Sequence, residues 1–141
     1  MTFELPKKIV LSVVTPERNV VLEEVDEVLL PGSEGYLGVL PGHTPLLTSL
    51  KIGEIKYRQG ERVRFLAVSW GFAEVLPNKV TLLADLAEHP EEIDVVSARE
   101  AKERAEKMLR DPEADFRAAQ AALEQALVRI QVAAKAAQAP R

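Results

Sequence analysis

The side-chain pattern of this 141-residue chain changes its period once, and that change limits the folds it can adopt. Up to about residue 88, apolar and polar residues alternate in short runs, which is typical of β-strands. The runs at 62–68 and 72–76 are interpreted as separate strands, and turn signals at 59–61 and 77–79 predict hairpins. Many short strands without intervening helices predict an N-terminal antiparallel β-sandwich or flattened barrel over residues 1–88.

The remainder of the chain contains no glycine, and its apolar residues recur every three or four positions. This spacing predicts a C-terminal antiparallel two-helix hairpin within residues 89–141. Ser97 and Glu100 fit a capping box for the first helix, with Asp94 as an alternative cap one turn earlier. Asp111, followed by proline, predicts the start of the second helix. Many of the expected contact residues are alanines, which bury little apolar area, so the hairpin could detach without unfolding the β-domain.

Composition and motifs exclude several classes of function. A net charge of −4 argues against nucleic-acid binding, which needs a concentrated basic surface. No apolar run approaches the roughly 20 residues that cross a bilayer, so membrane insertion is not expected. The two histidines, His43 and His89, are isolated and cysteine is absent, so no metal site is expected. No catalytic combination of nucleophile, base and acid is visible, so the chain is not expected to be an enzyme on its own.

Residues 32–47, G-S-E-G-Y-L-G-V-L-P-G-H-T-P-L-L, combine four glycines and two prolines with several aliphatic residues. Such a segment predicts a shaped corner of the β-structure rather than a flexible linker. Glu34 and Tyr36 are expected to project from its tip, a common place for partner contacts. Trp70, in V-S-W-G-F-A-E-V, is expected in the core, with an interface anchor as the alternative.

The order of residues in this corner closely resembles the glycine-rich loop of the epsilon subunit of F-type ATP synthases. The resemblance continues through V-S-W-G-F-A-E-V at 68–75 and I-D-V-V-S-A-R-E-A-K-E-R-A-E at 93–106, and so covers nearly the whole chain. It implies a bacterial-type rotor subunit that requires no cofactor and lies peripherally on the cytoplasmic side of the inner membrane. The sandwich would bind the gamma subunit and sit on the c-ring, coupling proton transport to ATP synthesis.

The same resemblance assigns roles to individual residues. Glu34 matches an acidic position at the c-ring contact, where Tyr36 replaces an acid that is often found two residues later. His43 matches a histidine near the gamma subunit. The helical arm is implied to extend along gamma and suppress ATP hydrolysis, with basic residues facing an acidic loop of a beta subunit. The residues expected in that role are Lys107, Arg110 and Arg117.

Several bacterial relatives in this family also bind ATP on the folded hairpin. The residues that match their site are Glu88, Ile93, Asp94, Arg104 and Arg129. Ser97 and Gln125 stand where arginines are expected, and neither can make the charged, bidentate contacts that arginine offers to phosphate. We therefore expect ATP binding to be weak or absent.

Two other functions stay open from the residues themselves. A free-standing sensor would bind a nucleotide or another small ligand between the sandwich and the hairpin. A peripheral membrane adaptor would use the helical arm, although its alanine-rich apolar face lacks the bulky anchors of an interfacial helix.

Overall fold

The computed structural model describes residues 4–137; residues 1–3 and 138–141, at the outer ends of the two predicted domains, lie outside the described residues. A β-sandwich of eight strands is followed by two helices, which confirms the predicted fold class. The strands are β1 (Ile9–Val14), β2 (Asn19–Val25), β3 (Glu27–Gly32), β4 (Gly35–Val39), β5 (Leu46–Leu50), β6 (Gly53–Gln59), β7 (Arg62–Leu76) and β8 (Lys79–Glu88). The helices are α1 (Val95–Arg110) and α2 (Phe116–Ala134), with short 3-10 helices at Pro90–Glu92 and Lys135–Ala137.

The long strand β7 lies at the centre of the sandwich. The strand order is β2-β1-β8-β7-β5-β3-β4, and β6 pairs with both β3 and β7. The pairs are antiparallel as predicted, except that β1 runs parallel to β8. Parallel neighbours need a long crossover, and β2 to β7 supply it between these two strands.

The sandwich has a hydrophobic core that is complete without the helices. Aliphatic residues at alternate strand positions point inward, as Ile9, Leu11 and Val13 of β1 do. All buried members of this core lie between Ile9 and Ala87 in the sequence. The helical arm therefore adds to the sandwich and does not complete it.

Strand β7 changes the phase of its side-chain alternation at Trp70 and Gly71. Leu66 and Val68 face the core before this point, whereas Ala73 and Val75 face it afterwards. The backbone absorbs the change through positive φ angles of 53° at Trp70 and 135° at Gly71. The interpretation as two separate strands with a buried tryptophan is therefore wrong: β7 is continuous, and the Trp70 side chain is 48% exposed.

The first helix begins at the earlier of the two caps considered. The Asp94 carboxylate accepts a hydrogen bond from the backbone N–H of Ser97 at 3.0 Å. The capping box that starts at Ser97 is therefore wrong, because Ser97 already belongs to the first turn of α1.

The second helix begins later than predicted. Asp115 caps α2 by accepting the N–H of Ala118 at 3.2 Å. Asp111 instead shapes the connection between the helices, because its carboxylate accepts the N–H of Glu113 at 2.9 Å. Both aspartates are chemically suitable caps. Because the Asp111 carboxylate is bonded within the turn, Asp115 is the residue that caps α2.

Replacing Gly71 with alanine should destabilise the sandwich. An added Cβ would lie 1.9 Å from the carbonyl oxygen of Leu83, and the residue would keep a strained φ of 135°. We expect Gly71→Ala to lower the free energy of unfolding by at least about 2 kcal/mol in urea denaturation. Gly38→Ala is the control, because no atom lies within 4 Å of its added Cβ. Equal stability of the two variants would contradict this account of the phase change.

Candidate functional site

The glycine-rich corner is the β3–β4 hairpin and the loop that follows β4. Glu34 is exposed in the two-residue turn between the strands. The sequence predicts that Tyr36 projects from this tip. Its side chain is 58% exposed, but it does not project freely. Its hydroxyl accepts a hydrogen bond from the N–H of Glu54 at 3.0 Å, which ties the hairpin to the start of β6.

His43 lies beyond the opposite end of β4, in the loop that leads to β5. Its Nδ1 donates to the carbonyl oxygen of Thr44 at 2.6 Å. The loop is fixed to the β7–β8 turn, because the N–H of Gly42 donates to the carbonyl of Pro77 at 2.8 Å. The structure therefore separates His43 from Glu34, and the two residues belong to different surfaces.

An exposed row of apolar residues crosses the outer face of the sandwich. Phe72 pairs directly with Leu83 on β8, and Leu47 on β5 lies diagonally beside Phe72. These side chains are 66%, 55% and 74% exposed, respectively. Val14 continues the row on β1, where it pairs with Leu83. We call these four residues the apolar strip.

The apolar strip was not predicted from the sequence, although the sequence contains a signal for it. In the run Thr81-Leu82-Leu83-Ala84, Leu82 and Ala84 fill the core while Leu83 points outward. Apolar residues at consecutive strand positions indicate a strand that is covered on both faces. A contiguous apolar surface of this kind is a candidate for an interaction site in a folded protein.

The helical arm docks on the sandwich through a small apolar cluster. Its buried members are Ala67 on β7, Ile93 before α1, and Val132 on α2. Phe65, Val128 and Ala133 pack against them while staying partly exposed. The contact is much smaller than the core of the sandwich, as the many alanines in the arm predict.

Two of the residues matched to the family's ATP site bind each other. Arg129 donates to both carboxylate oxygens of Glu88, at 2.7 and 3.1 Å. Gln125 donates to the hydroxyl of the buried Ser69 at 3.1 Å. Glu88, Gln125 and Arg129 line a cavity of about 260 Å3 between the sandwich and the arm. That volume is slightly below the roughly 300–1,000 Å3 of typical small-molecule sites.

The remaining residues of that set have other positions. Ile93 is buried in the docking cluster, and Asp94 caps α1. Arg104 is exposed on α1 and does not line the cavity. The structure thus brings together Glu88 and Arg129 at the cavity wall, whereas the other three residues do not line the cavity.

The basic residues expected to meet an acidic partner lie at the tip of the hairpin. Lys107 and Arg110 are exposed in the last turn of α1, and Arg117 is exposed in the first turn of α2. The 16 residues of α1 place this tip about 24 Å along the helix from its start beside the sandwich.

A bidentate ion pair fixes the segment from which the arm emerges. Arg18 lies 2.9 and 2.7 Å from the two carboxylate oxygens of Glu92. The hydrogen bond from Arg18 lowers the pKa of Glu92 below its usual value, assisted by the N–H of His89, and the same bond raises the pKa of Arg18. His89 also donates from Nε2 to the carbonyl of Val20 at 3.1 Å. The root of the arm is therefore attached to the sandwich at two points.

Over residues 4–137, neither helix has the length and apolar character needed to traverse a bilayer. Within the same range, His, Asp and Glu side chains form no cluster of three suited to holding a metal ion.

Known protein families match both halves of the chain. The family model described as ATP synthase, Delta/Epsilon chain, beta-sandwich domain matches residues 8–90. The model described as ATP synthase, Delta/Epsilon chain, long alpha-helix domain matches residues 91–134. A curated relative, the ATP synthase epsilon chain of Syntrophobacter fumaroxidans, is 50% identical over 133 residues, which cover 93% of this chain and 99% of the relative.

Solved structures are similar over almost the same extent. A chain of the Euglena gracilis mitochondrial ATP synthase, in an OSCP/F1/c-ring structure, superimposes with a TM-score of 0.79 at 26% identity, covering 96% of this chain and 84% of that one. A chain of the Tetrahymena thermophila mitochondrial ATP synthase, in a central stalk/c-ring structure, gives a TM-score of 0.56 at 15% identity, covering 94% and 98%. The second likeness concerns the fold alone.

Replacing Glu92 with glutamine should destabilise the protein in a pH-dependent way. Because the folded pKa of Glu92 is lowered, its contribution is fully present above the unfolded value of about 4.5 and is lost as the pH falls through the folded value. We expect Glu92→Gln to lower the urea midpoint at about pH 7, and this difference to shrink as the pH falls below about 4.5. Glu91→Gln, at the exposed neighbouring acid, is the control. A midpoint difference that is constant with pH would show that the Arg18 pair is not its source.

Proposed function

Because the chain belongs to the delta/epsilon family of ATP synthase subunits, which are non-catalytic, we propose that it is a rotor component that links a gamma subunit to the c-ring. The helical arm would act as a mobile brake on ATP hydrolysis. The complex to which this family belongs couples ion transport to ATP synthesis.

The observation that carries the linking role is the apolar strip. Phe72 and Leu83 expose large apolar surfaces on a sandwich that already has a complete core. Burying such surface against a partner contributes about 25 cal/mol per Å2. We assign the strip to the gamma subunit, and His43, in the loop between β4 and β5, to the same partner. The tip of the β3–β4 hairpin, with Glu34 and the tethered Tyr36, is assigned to the c-ring.

The braking role is supported by the small apolar contact that docks the arm. Its apolar contact with the sandwich is small, so undocking leaves the sandwich core intact. Lys107, Arg110 and Arg117, which are already exposed at the tip, would then be carried to an acidic surface of a beta subunit. Charges of this kind steer and orient an encounter more than they increase its affinity.

This function places the protein peripherally at the cytoplasmic face of a bacterial inner membrane, held there by the complex. Its 50% identity to a bacterial epsilon chain supports the bacterial assignment.

The proposal predicts different effects for the full chain and for a chain ending at Ile93. The shorter chain keeps the apolar strip, the Arg18–Glu92 pair and the whole sandwich core. We expect both to bind a catalytic head depleted of its own epsilon subunit, and only the full chain to slow ATP hydrolysis. Binding can be followed by co-sedimentation and hydrolysis by phosphate release.

A full-length variant with Lys107, Arg110 and Arg117 changed to alanine provides the control. It should bind as the wild type does and inhibit less, because the sandwich is unchanged. Binding without inhibition by the wild type would remove the braking role. Failure of the wild type to bind would remove the rotor assignment.

A second candidate, a free-standing nucleotide sensor, is favoured only by the cavity between the sandwich and the arm. We expect the isolated chain to bind ATP weakly or not at all, because serine and glutamine occupy positions 97 and 125. Isothermal calorimetry that gives a Kd in the low micromolar range would contradict this expectation. The double variant Ser97→Arg, Gln125→Arg is the comparison, and it should bind ATP more tightly than the wild type.

A further inference from the structure

We propose that three contacts in a row hold α2 on the sandwich: an ion pair, an apolar contact and a second ion pair. Together they form a latch that keeps the arm docked without a ligand. This inference rests on the mobile arm of the proposed function and specifies what keeps that arm docked.

The sandwich contributes one rung of three residues on three neighbouring strands. Ala67 of β7 pairs with Glu54 of β6 on one side and with Glu88 of β8 on the other. Directly paired residues point to the same face, with Cα atoms about 4.5–5.5 Å apart. The two carboxylates therefore flank the alanine, and their Cα atoms lie about 10 Å apart.

The helix contributes three residues at intervals of three. Arg129, Val132 and Lys135 follow one another along α2 and the turn that extends it. Residues three apart are neighbours on one side of a helix, and six residues rise about 9 Å along its axis. The two cations thus have the spacing of the two carboxylates, and the valine has the position of the alanine.

The contacts join these two rows member by member. Arg129 forms its bidentate pair with Glu88, and Lys135 forms an ion pair with Glu54. The Lys135 ammonium also lies 4.2 Å from the centre of the Phe65 ring, a favourable cation–π arrangement. Val132 is fully buried between the two ion pairs, in the same cluster as Ala67.

This arrangement fixes the position of the arm as well as holding it. Displacing α2 by one turn, about 5.4 Å, would take both cations away from their carboxylates at once. The side chains of Arg129 and Glu88 are only 21% and 25% exposed, and those of Lys135 and Glu54 are 32% and 19% exposed. Both pairs are more sheltered than ordinary surface pairs, yet close enough to solvent for dissolved salt to weaken them.

In the closed latch, the polar side chains that line the cavity already have hydrogen-bond partners within the protein and are not available to a nucleotide. Glu88 and Arg129 already satisfy each other, and Gln125 is bonded to Ser69. A ligand in the cavity would have to break the Arg129–Glu88 pair to use the guanidinium.

Hydrogen exchange of the isolated full-length chain tests the latch. We expect Glu54→Gln and Glu88→Gln each to speed exchange of the α2 amides about threefold to fivefold relative to the sandwich core, and the double variant to exceed either. Raising salt from about 0.05 to about 1 M should speed exchange in the wild type and leave the double variant unchanged. Added ATP should leave wild-type exchange unchanged.

The controls separate loss of the latch from general damage. Glu61→Gln, at an exposed acid in the β6–β7 turn, should exchange like the wild type. Glu54→Lys and Lys135→Glu should each open the arm, whereas their combination should recover most of the protection. Unchanged α2 exchange in Glu54→Gln and Glu88→Gln, or failure of the combination to recover, would overturn the latch. Slower hydrogen exchange of the α2 amides in the presence of ATP would contradict the proposal that the latch closes without a ligand.

The latch and the brake can fail separately. If the latch variants open the arm in the isolated chain but inhibit hydrolysis in the complex no more than the wild type does, the latch stands and the brake fails. If the variants leave the arm closed, the latch fails whatever the inhibition.

Discussion

Strand β7 depends on one backbone constraint, and both candidate surfaces depend on that strand. With a single phase of alternation, one set of alternate side chains would face the core along all 15 residues. The positive φ angles at Trp70 and Gly71, midway along β7, change which set of alternate side chains faces the core. Before this change, Ala67 faces outward beneath the arm; after it, Phe72 faces outward in the apolar strip. Only glycine fits at position 71, where the Leu83 carbonyl closely approaches.

The two surfaces differ in chemistry as well as position. The apolar strip is a row of hydrophobic side chains, and burying it favours lasting attachment. The arm's contact combines a small apolar centre with two ion pairs, which suits a contact that forms and breaks. Because the sandwich has its own core, one surface can stay bound while the other changes. The fold thus separates the interface that we propose to be permanent from the contact that we propose to be reversible.

The sequence allowed the fold class to be predicted because strands and helices impose different periods on their apolar residues. It did not allow the phase change at Trp70 to be predicted, since apolar residues stand on both sides of that point. Asp111 and Asp115 are equally suitable caps, and only the path of the turn distinguishes them. The family resemblance identified Glu88 and Arg129 but not that they bind each other. The pair of Lys135 with Glu54 spans 81 residues, beyond the reach of any local pattern.

The fixed root of the arm has a consequence for its kinetics. Arg18 and His89 attach the segment before Ile93 to the sandwich, so an undocked arm pivots from a stationary point. Its return is then an intramolecular reaction governed by an effective concentration, which reaches the millimolar range for short connections. Any competitor for the arm must overcome that local concentration. In the proposed function, the arm would thereby be biased toward rapid recapture, and a long release would require a second site that is also tethered within the same assembly.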